Sequence, residues 1–594
     1  MSSRYYIVYN PFVTDLMDRI GESAFTPIDI VSHLTGLDAS ILNKDNYLQF
    51  LKPDLKKERH GILEHFGMEN YSSAYIANQI SHADKGAGVF IADGRRLNLK
   101  DIIERKGSVP DGVFISSMSS NFPTAVGTAI PLNHGGIPVV IGGIHASTSE
   151  KDIETYIKEF VPNPHLISRV IGPGDSRVIS RIVSDIEKKD LKPEYTGYTA
   201  IEDGMWGSKN VYGLPEMKLN FLKKLPVAGN ILANICRLNV TTPYIGCPYS
   251  CNFCSISTLP RKNRRFTSRS PEDFINELKH IQGDGGALKK RFFFFLPDNL
   301  MLGGNHLVSI LDRIIESGLK LNYAVQVSID VAKNRELLKK LRLSGASHFF
   351  IGFESLDIRN LEYLGKNSVK DIKDSGLSVP DYFSKHIRTI IDHGISIHGA
   401  FITGLPFDYF NGLGDHTGRD IAAFCIANNI GIQPAAFSDL PGSINFRKSQ
   451  NNGSFLYGRQ GSMDYLIALS IMDLSEMNRK VPDALRGSPL VAAYMAWETA
   501  HLVGSNRNAI GSAMRMAQKA WMSPTNAGRR RLKDRAIDAL SAVVFQLGVS
   551  AYKDVGDSLA FTQNGKRGTF ERLYAVEKNP DVKKAFKNRI NKAT

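Results

Sequence analysis

Cysteine is the scarcest chemically informative residue in this chain, with five among 594 residues. A chain so long and so poor in thiols is not built on a disulfide framework. Long apolar runs are missing as well, and nothing approaches the roughly 20 residues of a membrane-spanning helix. Met1-Ser2-Ser3-Arg4 leads into Tyr5-Tyr6-Ile7-Val8-Tyr9, which Asn10-Pro11 interrupts too soon for a signal peptide. That stretch reads as a first strand, and the expected compartment is the cytoplasm, where thiols stay reduced. An excess of acid is absent too, since the formal charge is +14. Residues 526–594 supply +8 of it, with 15 Lys and Arg against 7 Asp and Glu. Aromatic residues do not interleave with this basic tail as they do in single-strand binders, so a solvated helical face is expected rather than a nucleic acid partner. With 42% hydrophobic and 22% charged residues the composition is globular, and the length suggests about three domains.

What is present is concentrated in one place. Three of the five cysteines lie in Gly246-Cys247-Pro248-Tyr249-Ser250-Cys251-Asn252-Phe253-Cys254, spaced C-x3-C-x2-C directly after a β-rich run at residues 235–242. A loop that leaves a strand with three thiolates can hold three irons of a cubane cluster and leave the fourth open to a small molecule. A structural zinc site closes at four ligands, and no histidine lies in the loop; the nearest are His280 and His306. An alternative of a different class is a non-catalytic, nucleic-acid-associated metal-binding protein that uses the three cysteines and the basic tail. The spacing, with Pro and an aromatic residue between the cysteines, resembles the cluster loop of the radical S-adenosylmethionine (SAM) superfamily. That resemblance implies a 4Fe–4S cluster on Cys247, Cys251 and Cys254, with SAM chelating the open iron through its amino and carboxylate groups.

Upstream, the chain alternates strand and helix. Val113 to Ser117 reads as a strand, residues 123–134 as a helix stopped by Gly135-Gly136, and residues 137–143 and 169–175 as further strands. A helix follows at residues 176–188 with Val178, Ile179, Ile182, Val183 and Ile186 on one face. This repetition predicts an α/β, doubly wound, Rossmann-like parallel sheet with ligands at the carboxyl ends of its strands. Val139-Val140-Ile141-Gly142-Gly143-Ile144-His145-Ala146 and Ile171-Gly172-Pro173-Gly174-Asp175 resemble strand ends of the cobalamin-binding-type domain found in one branch of radical SAM enzymes. The resemblance implies cobalamin near Gly142, Gly143, Gly172 and Gly174, where glycine permits close backbone approach. The D-x-H-x-x-G signature of cobalt-ligating histidines is absent from this chain. His145 corresponds to a strand-end loop residue rather than to a cobalt ligand. Residues 1–105 mix strand and helix signals, including a charged helical stretch at 51–65, and carry an insertion of unread role.

The domain limits read as 1–190 for this unit, 191–229 for a Gly- and Pro-punctuated linker, 230–448 for the catalytic unit and 449–594 for a mostly helical end. Within 230–448, Ser270 is an N-cap with Pro271 at the first helical position. Six strand–helix units fit a partial (β/α)6, TIM-like barrel, whose polar residues gather at strand ends. Those residues are Asp298-Asn299, Gln326, Ser328, Glu354-Ser355 and Thr403-Gly404. Gln326 and Glu354 read as site-lining, whereas Asp298 and Ser328 are open between site and structure. Gly352-Phe353-Glu354-Ser355 is similar to the family's strand end where an acidic residue helps position SAM, and Ser328 is carried with it as a cofactor-side residue. Asp408 departs by one position from the family's Gly-x-Pro-x-Asp turn, so nothing catalytic is carried over to it; no catalytic residue is assigned from sequence.

Cys236 and Cys425, far apart in sequence, cannot hold a second cluster and read as buried small hydrophobes. The reading is a radical SAM enzyme that reductively cleaves SAM, with cobalamin-dependent methylation of an unactivated carbon. The alternative within the family is a cobalamin-independent cyclase or rearrangement enzyme. The resemblance implies a flavodoxin- or ferredoxin-type electron donor and a small-molecule or peptide substrate. In the family the C-terminal region commonly closes the barrel mouth.

Overall fold

The computed structural model describes residues 4–14, 25–52, 71–92, 98–149, 151–172, 174–197, 216–218, 237–258, 267–283, 292–453, 459–469, 488–505, 514–519 and 569–590, with a few single residues between them. Every residue of β1 (Tyr5–Tyr9) is buried, which requires cover on both faces of the sheet it joins. That sheet is wholly parallel. It contains β2 (Gly88–Ala92), β3 (Gly112–Ser116), β4 (Val139–Gly142), β5 (Ile167–Ile171) and β6 (Glu194–Thr196), in the order β2-β1-β3-β4-β5-β6. The two-residue period sends Tyr5, Ile7 and Tyr9 into a core with the helices Pro27–Thr35, Leu99–Lys106 and Phe122–His134. It sends Tyr6 and Val8 into a second core with Tyr71–Ala83 and Ser176–Glu187. The sheet is doubly wound, and its strand order reverses between β1 and β3, where such sheets bind ligands.

A second sheet begins with β7 (Glu216–Lys218), antiparallel to β8 (Arg237–Thr241). A short antiparallel pair follows, β9 (Tyr244–Ile245) with β10 (Thr267–Ser268). The sheet continues in parallel through β11 (Phe292–Phe295), β12 (Asn322–Val327), β13 (Ala346–Glu354), β14 (Ser396–Thr403) and β15 (Gly431–Ala436), in the order β15-β14-β13-β12-β11-β8-β7. Six parallel strands with helices between them make the partial barrel. The four phenylalanines of β11 show why an unbroken apolar strand suits it. Phe293 and Phe295 join the helix-covered core, while the Phe294 ring lies 5.4 Å from Phe350 of β13.

Within the stretch 191–229, β6 pairs with β5 and β7 pairs with β8, so parts of it belong to the two sheets. Residues 449–594 do not form one appendix among the described residues. Met463–Leu469 packs Tyr465, Leu466, Ile467 and Leu469 into the core of the first sheet. Burial of each Leu or Ile there contributes about 1.5–3 kcal/mol. Helical periodicity reveals an apolar face but not which distant surface will cover it. Spacing of apolar residues also predicts helices at 463–477 and 536–547; residues 470–477, most of 536–547, residues 53–65 and Cys236 lie outside the described residues. Cys425 is fully buried in Thr417–Asn428.

The helix Pro489–Gly504 instead lies against β14, β15 and Thr417–Asn428. Its buried Glu498 accepts from Arg419 Nε and Nη2, both at 3.0 Å, and from Tyr494 OH at 2.7 Å, with His416 Nε2 at 2.6 Å. The Arg419 Nη2 bond goes to Oε1 and the Nε bond to Oε2, a two-pronged grip that favours the ion. Burial works against the carboxylate, but these partners prevail and hold its pKa down to about 2. A carboxyl group lowered on folding stabilises the fold above its ordinary range and loses that contribution as the pH falls. Glu498→Gln is expected to lose on the order of 2 kcal/mol at pH 7 after solvent screening. Urea unfolding between pH 5 and pH 2 checks it: the variant should show a shallower acid decline than wild type, and an unchanged slope contradicts the assignment.

Candidate active site

The cysteine loop leaves β8 and is held at both ends. Gly246, at φ 91°, donates its N–H to Asp298 Oδ2 at 2.8 Å, so the carboxylate at the end of β11 fixes the entry to the loop. At the far end Asn252 N donates to Leu364 O at 3.0 Å and its side-chain amide to Tyr363 O at 3.0 Å. Asn252 O accepts from Asn445 N at 2.9 Å. Cys247 and Cys251 lie between these anchors and Cys254 two residues beyond the second, and each is partly exposed. Among the described residues no three His, Cys, Asp or Glu side chains gather as a single metal ion requires. A cubane asks for a different arrangement, one thiolate on each of three irons.

A cavity of about 350 Å³ opens beside Cys251 and Tyr249 and runs into the barrel. Its walls bring together Asp298, Gln326, Ser328 and Glu354, the strand-end residues singled out in the sequence, and add Asp330, Lys366, His398 and Gln433. Three carboxylates face one lysine there, so the walls favour a cationic guest. Glu354 sits at φ 65° beside a register shift between Gly352 and Glu354. A non-glycine residue held there is strained, and the strain aims its side chain back over the strand end. A Cβ on Gly352 would lie 2.3 Å from Glu354 Oε1, so only glycine leaves room for that carboxylate.

Lys366 escaped the sequence reading. It follows Glu354 by twelve positions, in a turn after the helix Ile358–Tyr363, and no periodicity or motif marks it. Its ammonium donates to Glu354 Oε1 at 3.1 Å and to Gly352 O at 3.2 Å. Burial disfavours this charge, but Glu354 and the thiols of Cys251 and Cys254 raise its pKa above the ordinary lysine value. Conversely, burial pushes the Cys251 thiol up while Lys366 draws it down. The lysine is thus a fixed cation between the cysteine loop and the cavity. Burial raises the Asp298 carboxyl, against the pull of the Gly246 N–H. Asp408 has a different task, accepting from Gly404 N at 2.8 Å, Leu405 N at 3.1 Å and Asn360 Nδ2 at 2.9 Å. It ties down the turn after β14, outside the cavity.

A second cavity, about 190 Å³, lies at the carboxyl ends of β1, β3, β4 and β5. Gly142, Gly143, Gly172 and Gly174 all line it, with Phe114, Val140 and Val170 among its apolar walls. None of its described lining residues is charged, which suits a large neutral surface and not a phosphate. Ile245, at the entry to the cysteine loop, also lines it, so the two cavities flank one segment. Gly143 is at φ 96°, ψ −178°, a region reserved for glycine, and a Cβ there would lie 2.4 Å from Ser117 O. At Gly142 the nearest atom, Val170 Cβ, is 3.7 Å away, an ordinary contact. Gly143→Ala is therefore expected to cost about 2 kcal/mol or more of stability in urea unfolding, and Gly142→Ala less than about 1 kcal/mol. Equal losses at the two positions would contradict this geometry.

Residues 241–408 match the sequence model of the radical SAM superfamily. A hopanoid C-2 methylase of Rhodopseudomonas palustris is 23% identical over 60% of this chain and 61% of its own length. A bacteriochlorophyllide d C-12(1)-methyltransferase of Chlorobaculum tepidum is 26% identical over 27% of this chain and 33% of its own. The chain thus spans about three fifths of the first relative and a third of the second. The cobalamin-dependent S-adenosylmethionine radical enzyme OxsB, with aqua-cobalamin and S-adenosylmethionine bound, superposes with a TM-score of 0.50 at 13% identity, over 99% of this chain and 80% of that one. That likeness is one of fold. With the cysteine loop held at the end of β8 and the match over residues 241–408, the chain carries a radical SAM domain over those residues.

Proposed function

We propose that this chain is a radical SAM enzyme whose cluster is held by Cys247, Cys251 and Cys254 and whose cosubstrate occupies the cavity beside Cys251. The observation that carries this reading is the cysteine loop, fixed at both ends and opening onto a cavity with more carboxylates than cations. SAM is a sulfonium cation with an amino acid at one end, and the walls offer both signs of charge it needs. Lys366 is the group for its carboxylate, and Glu354 and Asp298 are the anionic groups. Gln326 and Ser328 supply neutral hydrogen-bonding partners. Three thiolates on a short loop with an open neighbouring cavity fit a cubane that keeps one iron for a small molecule. A cluster bound there would supply one electron to the sulfonium, releasing methionine and a 5′-deoxyadenosyl radical that takes hydrogen from an unactivated carbon. The protein's own part is to orient the sulfonium against the loop and keep water out.

Cobalamin is the second cofactor in this reading, held at Gly142, Gly143, Gly172 and Gly174. The uncharged, glycine-lined cavity supports it, and so does the fold it shares with OxsB, which binds aqua-cobalamin. A cobalamin bound there would supply a methyl group for transfer to carbon, which makes the proposed reaction a methylation. A second reading, cyclisation, is favoured by the match to an anaerobic magnesium-protoporphyrin IX monomethyl ester cyclase of Cereibacter sphaeroides, 25% identical over 27% of this chain. No described helix is long and apolar enough to cross a membrane. The cytoplasm, with a flavodoxin- or ferredoxin-type electron donor, is the proposed setting.

Anaerobic reconstitution is expected to give a brown protein with about four irons per chain that releases methionine and 5′-deoxyadenosine under reduction. Cys247→Ala, Cys251→Ala and Cys254→Ala should each abolish that release, and a colourless, zinc-loaded wild type would overturn the reading. Lys366→Met should weaken SAM binding about tenfold or more with iron content unchanged. Isothermal titration checks this, and an unaltered Kd would remove Lys366 from the site.

A further inference from the structure

His145 is completely buried and no part of the proposed chemistry uses it. It follows the glycine-lined end of β4, and its ring lies 4.1 Å from that of Phe122, centroid to centroid. Nδ1 is 3.1 Å from Ser119 Oγ, in the loop after β3. Nε2 is 3.1 Å from Asp152 Oδ2, a close polar contact without hydrogen-bond alignment, and Asp152 is completely buried as well. Both ring nitrogens therefore face protein atoms, and neither is turned to the cavity. Asp152 in turn accepts from Gln460 Nε2 at 2.8 Å and from Tyr465 OH at 3.1 Å. Close by, Tyr156 OH donates to Ser462 O at 2.7 Å and accepts from Gly461 N at 3.0 Å. The short helix Ile144–Thr148 that carries His145 also holds the end of β5, because Ser147 Oγ accepts from Gly172 N at 3.0 Å. It packs beside Ser255–Thr258, which leaves the cysteine loop just after Cys254.

We propose that His145 and Asp152 are positioning residues that lock the glycine-lined rim of the 190 Å³ cavity to residues 460–465 of the C-terminal region. The cavity's ligand is a corrinoid in the reading above, and this inference rests on that reading only for what the rim receives. The imidazole joins the loop after β3 to Asp152, and Asp152 joins it to a segment more than 300 positions away. Docking of residues 460–465 thereby steadies the helix Ile144–Thr148 that follows the rim, and the histidine acts on a corrinoid through the rim and not as a ligand to cobalt. Removing the Asp152 charge weakens its hold on the buried Tyr465 hydroxyl, on Gln460 and on the His145 ring beside it, so the β3 loop and the C-terminal segment should loosen together.

Two readouts on the full chain test this. In the absence of any corrinoid, amide hydrogen exchange of Asp152→Asn and of the milder Tyr465→Phe should rise in residues 117–121 and 460–469 together. About tenfold is expected for Asp152→Asn, with β12 unchanged. Exchange confined to one of the two segments, or spread over the whole chain, overturns the coupling. With hydroxocobalamin as the probe, His145→Ala should weaken binding about tenfold or more at unchanged iron content, and His145→Gln should recover most of it. Electron paramagnetic resonance of the bound, reduced corrinoid should show the same axial coordination in wild type and both variants. A nitrogen signature lost in His145→Ala would make His145 a cobalt ligand and overturn the positioning role. If wild type takes up no hydroxocobalamin, the cobalamin reading fails, and the exchange experiment alone decides the coupling.

Discussion

A loop of three cysteines has no shape of its own, and its usefulness depends on being held at both ends. Here the holding groups come from elements that the chain meets much later. Asp298 at the end of β11 takes the N–H of Gly246, and the backbone of residues 363–364 takes both donors of Asn252. These bonds spare buried polar groups that would otherwise be unpaired, and they place the thiolates where a cavity begins. The barrel, the cavity and the entry of the loop are consequently one structure: shifting β11 moves Asp298, and with it Gly246 and Cys247.

Electrostatics around that loop follow from a strained residue. Glu354 is held at positive φ by the register shift at the end of β13, and the resulting geometry lets Lys366 bridge its carboxylate and Gly352 O. A lysine in such a place would lose its charge to burial were it not for Glu354 and the thiols of Cys251 and Cys254. The cation in turn favours the thiolate form of Cys251. Backbone strain, an ion pair and cysteine ionisation are thus linked within one strand end and the turn that follows it. On the other side of the same loop segment the walls carry no charge, and close backbone approach at Gly143 takes the place of ionic contacts. One segment separates a charged cavity from an uncharged one.

The C-terminal region brings the two sheets under common restraint. Met463–Leu469 completes the hydrophobic core of the first sheet, and Pro489–Gly504 seals the last strands of the second through the Glu498 cluster. One stretch of chain thus supplies a covering helix to each sheet.

Much of this architecture is legible in residue order. The unbroken apolar run that buries β1 on both faces, the strand–helix repeats and the C-x3-C-x2-C spacing are local patterns, and local geometry is enough to produce them. The strand ends that carry Gln326, Ser328 and Glu354 are placed in the same way, because parallel strands deliver their carboxyl ends to one side, whereas the glycines at 142, 143, 172 and 174 stand out through the family resemblance. Lys366, the Gly246–Asp298 tie and the His145–Asp152–Tyr465 contacts are not legible, since they join positions whose separation carries no period. By itself, then, the sequence determined the two sheets, the thiolate loop and the radical SAM domain around it. Tertiary structure decided which distant donors and acceptors meet, because a buried polar group takes its partner from whatever surface folding brings against it, however far away in the chain that partner lies.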